Sequence, residues 1–229
     1  MSHKQRSLRI VWAPPLAAAL ILAAAAPAGA ASRADAGQAQ KQYRLGQVQY
    51  EQGKVQEAIE AIQKSLKLDP GNAEAHNYLG LIFLDQSDTK AALSEFKEAV
   101  HINPYYTDAH NHLGVAYKEL KKYDKAMKEF QIALKDRTYA TPEKVHLNMG
   151  HLYIEQGKYP EAIRSFQMAL EANPNYLRGM VGLGLAYQKA GRADQAKQEL
   201  LKVVKLDPSS AEAAQARTLL DGQVKRPTP

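Results

Sequence analysis

The sequence predicts an all-α fold, an array of five helix-turn-helix repeats closed by one further helix. Three observations carry this. Glycines at 46, 80, 114, 150 and 184 succeed one another at spacings of 34, 34, 36 and 34 residues. Around each of them, apolar and small residues recur as they do on one face of a helix, twice per unit. Prolines at 70, 104, 174 and 208 stand near the end of four units, where a residue without an N–H stops a second helix.

The first thirty residues lie outside this pattern. Lys4, Arg6 and Arg9 precede an apolar run from Ile10 to Ala26, and Ala28-Gly29-Ala30 has the small-x-small form of a cleavage site. Residues 1–30 therefore read as a secretory signal peptide, which places the repeats outside the cytoplasm, in a bacterial periplasm. The alternative is an uncleaved membrane anchor, since about 20 apolar residues span a bilayer. Membrane association is expected only in that case. Pro14-Pro15 within the run argues against the anchor. Removing the segment takes away three of 30 basic residues and none of 24 acidic ones, so the formal charge falls from +6 to +3. The chain has no Cys, so neither a disulfide nor lipid attachment through an N-terminal Cys is available to it.

Residues 31–38 read as a small-residue linker without fixed structure. The units follow as 39–72, 73–106, 107–142, 143–176 and 177–210. With the glycine as position 8, position 7 is Leu45, Leu79, Leu113, Met149 and Leu183, and position 11 is Gln49, Phe83, Tyr117, Tyr153 and Tyr187. The second helix supplies Ala58, Ala92, Ala126, Ala162 and Ala196, then Ile62, Phe96, Phe130, Phe166 and Leu200 at position 24. Small residues let the two helices of a unit approach, and the large ones fill the space beside them. Breaks fall at Gln52-Gly53, Gln86-Ser87-Asp88, Lys121-Lys122, Gln156-Gly157 and Ala190-Gly191. Unit one matches least well, with Gln49 at position 11 and Ser65 at the small position 27. Ser209 and Glu212 have capping-box spacing before a final helix over 211–222. Residues 223–229 read as a disordered polar tail.

These recurring positions resemble the tetratricopeptide repeat (TPR) family across residues 39–210. The resemblance implies a right-handed superhelix of paired helices with a concave inner face. It also implies that positions 2, 5, 6, 9, 12 and 13 of each first helix line that face. They map onto Tyr43, Arg44 and Gln47; onto Asn77, Tyr78, Leu81 and Leu84; and onto Asn111, His112, Val115 and Lys118. They continue with Leu147, Asn148, His151 and Ile154, then Val181, Gly182, Leu185 and Gln188. Side-chain amides among apolar residues suit a peptide segment, whose backbone the Asn groups can bond. The Lys and Asn set by which some TPR modules grip a C-terminal carboxylate is not supplied by any three consecutive units.

Other chemistry finds little support. His76, His110 and His146 share position 4, a packing site. His112 and His151 face inward in adjacent units, but no carboxylate or Cys recurs beside them with ligand spacing, and zinc wants three or four ligands. No metal, cofactor or small-molecule substrate is expected. The basic run from Lys118 to Arg137 is interleaved with Glu119, Asp124, Glu129 and Asp136, too mixed a patch for nucleic acid. No nucleophile–base pair, phosphate loop or carboxylate dyad stands out, and the chain reads as non-catalytic.

Unit three is two residues longer, the excess falling within Asp136–Glu143, where Thr141 stands as an N-cap before Pro142. Asp136, Tyr139, Pro142 and Glu143 resemble an Asp-x-x-Tyr-x-x-Pro-Glu stretch of the PilF/PilW/Tgl family of type IV pilus assembly proteins. That resemblance implies a pilotin role, helping an outer-membrane secretin channel to localise and assemble. Members of the family are typically lipoproteins, and this chain departs from them in having no Cys. The alternative is a general TPR adaptor or chaperone-like factor for another envelope or cytochrome-assembly complex.

Overall fold

The computed structural model describes residues 33–224, in which every regular element is an α-helix. The segment read as a signal peptide lies outside the described residues, as does the tail after 224. Five hairpins follow in order. They are α1 (Arg33–Glu51) with α2 (Val55–Leu68), α3 (Ala73–Asp85) with α4 (Thr89–Ile102), and α5 (Thr107–Glu119) with α6 (Tyr123–Ala133). Then come α7 (Pro142–Glu155) with α8 (Tyr159–Ala172), and α9 (Leu177–Lys189) with α10 (Ala193–Leu206). A last helix, α11 (Ala211–Val224), closes the array against α9 and α10.

The start differs from expectation. Most of the stretch read as a linker is the first two turns of α1. Ala, Arg and Gln are strong helix formers, and the helix is held where Ser65 Oγ donates to the Ala39 carbonyl at 2.8 Å. This bond also explains a serine at a position that is apolar elsewhere. The last helix is capped by Ser210, whose Oγ accepts from Ala213 N at 3.1 Å, while Ser209 bonds back to Asp207.

The repeating glycine is where each hairpin closes. A Cβ on Gly80, Gly114 or Gly150 would lie 2.5–2.6 Å from the ring of Phe96, Phe130 or Phe166 in the same hairpin. At Gly46 and Gly184 the corresponding neighbours are Ile62 and Leu200. All five of these large side chains are fully buried. Each turn within a hairpin then ends on one residue with positive φ, namely Gly53, Ser87, Lys121, Gly157 and Gly191. The next N–H reaches back to the carbonyl at position 11, from Lys54 to Gln49 and from Arg192 to Tyr187, both at 2.9 Å. This is the Schellman arrangement, which satisfies carbonyls that the helix end leaves bare.

Along the array, α3 touches α5, α5 touches α7, α7 touches α9 and α9 touches α11, whereas the second helices make no comparable contact with one another. The first helices therefore line the tighter, inner side of the bend. Unit three departs from the rule. The other second helices have 14 residues, but α6 has 11, and the chain runs through residues 134–141 before α7. That loop is fastened to the start of α5. Thr107 Oγ1 donates to Asp136 Oδ2 at 2.8 Å, and Tyr139 Oη donates to Asp108 Oδ1 at 2.5 Å. Thr141 stands at the N-cap of α7, but its side chain makes no capping bond.

Candidate functional site

The inner face is built from side chains that alternate between holding adjacent repeats together and remaining open. At its N-terminal end Tyr43 is buried, and Tyr78 packs edge-on to both Tyr43 and Tyr50, with ring centroids 5.9 and 6.0 Å apart. Burial pushes the Tyr43 and Tyr50 hydroxyls up to about 12, so these phenols stay neutral donors. Arg44 is exposed at this end.

The next layers are linked by amides. Asn77 is buried; its Nδ2 donates to Tyr106 Oη at 3.3 Å, and its Oδ1 accepts from His112 Nδ1 at 2.8 Å. His112 packs on Phe96 with centroids 5.6 Å apart and the rings tilted by 38°. Its burial lowers the imidazole to about 4, so the ring is neutral and its one N–H goes to Asn77. Asn148 Nδ2 donates to Asn111 Oδ1 at 2.9 Å. Asn77 is thus a strut between repeats and has little left for a ligand. The bonded pair is different, because Asn111 Nδ2, on a buried residue, and Asn148 Oδ1 have no partner among the described residues and are not sealed from solvent.

Apolar side chains flank this pair. Leu81, Val115, Ile154 and Leu185 are each half-buried along the same face. His151 lies edge-on to Phe166 at 5.3 Å, and burial lowers its pKa below the usual imidazole value. His112 and His151 therefore pack on different rings and do not form a joint site. Gly182 replaces the larger side chains found at this position in other units, because a Cβ there would lie 2.4 Å from Phe166. The space it leaves belongs to a cavity of about 180 Å³ lined by Leu147, His151, Val181 and Leu185 and closed by Glu212 and Gln215 of α11. Gln188 is half-buried near this end. Lys118 is held by Glu119 at 2.8 Å and Glu155 at 3.2 Å. Burial opposes its charge, but the two carboxylates outweigh that and raise its pKa.

The position-4 histidines form a set of their own. His76 and His110 each donate from Nδ1 to Glu95 or Glu129, at 2.7 and 2.8 Å, and from Nε2 to the carbonyl of Pro70 or Pro104. Two donating nitrogens require the protonated ring. Both pKa values are raised, at His76 with burial opposing the Glu95 carboxylate and at His110 chiefly by Glu129. In unit four Ser165 stands where that Glu would be, His146 Nδ1 is buried without a partner, and burial lowers its pKa.

Comparisons agree with this architecture. Two family models, both described as tetratricopeptide repeat, match residues 43–107 and residues 83–139 and 153–220. No curated relative matches the chain in sequence. Among solved structures, the chain is similar to TTC0263, a thermophilic TPR protein of Thermus thermophilus. Identity is 25%, over 80% of this chain and 98% of that one, with a TM-score of 0.68. It is also similar to PilW, a type IV pilus biogenesis factor, at 21% identity over 82% and 94% with a TM-score of 0.68. Pseudomonas aeruginosa PilF matches at 19% identity over 85% and 100%, with a TM-score of 0.65. At such identities the likeness speaks to the fold alone. Among the described residues no helix is long and apolar enough to cross a membrane.

Proposed function

Because the chain belongs to the tetratricopeptide repeat family, we propose that it is a non-catalytic scaffold that holds an extended segment of a protein partner along its inner face. The observation that carries this is the Asn111–Asn148 pair. The bond between the two amides fixes both and leaves the Asn111 Nδ2 donors and the Asn148 Oδ1 acceptor without a partner among the described residues. A peptide unit carries the complementary acceptor and donor. Leu81, Val115, Ile154 and Leu185 on either side offer apolar contact to its side chains. Replacing Asn148 by Ala and Val115 by Glu should abolish capture of the partner while circular dichroism stays unchanged. Undiminished capture by a folded variant would overturn the groove.

The partner we propose is an outer-membrane secretin subunit, met in the periplasm during type IV pilus assembly. Two features support this: the Asp136, Tyr139, Pro142 and Glu143 stretch, and a fold shared with PilF and PilW. The stretch is an organised part of the molecule, since Asp136 and Tyr139 both bond to the start of α5. Without a Cys, the role falls to a soluble form or one held by its N-terminal segment. Deleting the protein from its host should remove secretin multimers and surface pili. Normal pili would reject this partner and leave the groove to another envelope complex.

A further inference from the structure

The irregular repeat opens a second cavity, away from the inner face. It has a volume of about 490 Å³ and lies between the α4–α5 loop and the early end of α6. Its walls come from Pro104, Tyr105 and Ile132, with Thr107, His110, Lys135 and Asp136 at the polar side. None of these residues belongs to the inner-face set, so this site stands or falls independently of the groove. Because α6 stops after Ala133, Lys135 and Asp136 line this space as loop and not as a further helical turn. The loop bonds from Asp136 to Thr107 and from Tyr139 to Asp108 keep the space open by holding the chain against α5.

The lining is chemically selective. Tyr105 is 91% exposed, a free aromatic face at the mouth of the cavity. Apart from Lys135, the polar side chains of the lining are already engaged. Thr107 is bonded to Asp136, and both nitrogens of His110 are used by Glu129 and Pro104. Both oxygens of Asp136 accept bonds, one from Thr107 and the other from Thr138. Lys135 alone in this lining keeps a charge with no partner among the described residues, and Arg137, exposed two residues on, has none either. A ligand that suits these walls brings an apolar body and a negative charge.

We propose that this cavity docks an acidic segment of a partner protein, with an aromatic side chain entering against Tyr105 and Ile132 and an adjacent carboxylate meeting Lys135. Large aromatic anchors next to a charged contact are where protein interfaces concentrate their binding energy. The test uses the full chain and short fluorescein-labelled peptides with one Trp, flanked either by Asp and Glu or by Lys and Arg, read by fluorescence anisotropy. The acidic peptides should bind roughly tenfold more tightly than the basic ones. Tyr105→Ala and Lys135→Glu should each weaken binding by roughly tenfold, with unchanged circular dichroism, since both side chains are exposed. Loss should be largely restored in Lys135→Arg. Absence of binding, equal binding of both peptide classes, or indifference to both substitutions would overturn the proposal. So would self-association that Tyr105→Ala abolishes, which would assign the cavity to a second copy of the chain.

Discussion

Gly114 shows how narrow the tolerances are at a single residue. A methyl group there would stand 2.5 Å from the Phe130 ring, which is itself fully buried and has nowhere to move. Gly114→Ala should therefore cost about 1–3 kcal/mol by overpacking, measured by urea denaturation. Gly37→Ala, with nothing among the described residues within 4 Å of the added carbon, should be neutral or stabilising by up to about 1 kcal/mol. Equal losses at both sites would contradict the packing account. The histidines divide in a second, pH-dependent way. His112 is lowered to about 4 from the ordinary 6.5, so its contribution is present above about pH 6.5 and fades as pH falls toward 4. His110 is raised, so its contribution is complete below about pH 6.5 and fades as pH climbs through the folded value. From pH 7 to pH 5, the stability lost in His112→Gln should shrink, whereas that lost in His110→Gln should grow. Denaturation of both variants at the two pH values checks this, and parallel behaviour would refute it.

Among the elements, the hairpin turns use one backbone solution five times but not one residue type. Three sites have Gly at the positive-φ position, while Ser87 and Lys121 adopt φ of 61° and 56°. An L-residue in that region suffers a clash of Cβ with the following carbonyl, which Gly avoids. Ser87→Gly and Lys121→Gly should each raise stability by about 0.5–1 kcal/mol, visible as a higher melting temperature. A fall in both would mean that these side chains make contacts that outweigh the strain. The five turns were legible in the sequence because their Gly and polar residues sit at fixed offsets from the repeat glycine. The course of the 134–141 loop was not. Its two anchors join residues 29 and 31 apart in the chain, and no local pattern announces a bond of that range. For the same reason the sequence placed a cap on Thr141 that the folded chain does not use.

At the scale of the whole molecule, the same residue differs in value with its place in the array. Leu45, Leu79 and Leu113 share position 7, yet Leu45 is 45% exposed while the other two are 2% exposed. Only the first unit lacks a preceding repeat among the described residues. Leu113→Ala should cost about 2–5 kcal/mol, and Leu45→Ala less than about 1 kcal/mol. Comparable losses would show that something covers Leu45. The opposite end is closed, because Ala213 and Ala216 of α11 are buried against Met180, Leu200 and Val203. The sequence by itself determined the helical hairpins, their number, the residues that pack inside each one and the closing helix, since all of these rest on contacts repeated at a short, regular separation. It also proposed a set of inward residues, but not their state. Only the tertiary structure decided that Asn77 is consumed as a strut and that Asn111 and Asn148 are bonded to each other, because both outcomes depend on which side chains adjacent repeats bring within hydrogen-bonding reach. The cavity beside Tyr105 belongs to the same class. It arises from a helix that ends early and a loop pinned at a distance, and neither fact is written in the spacing of 34, 34, 36 and 34.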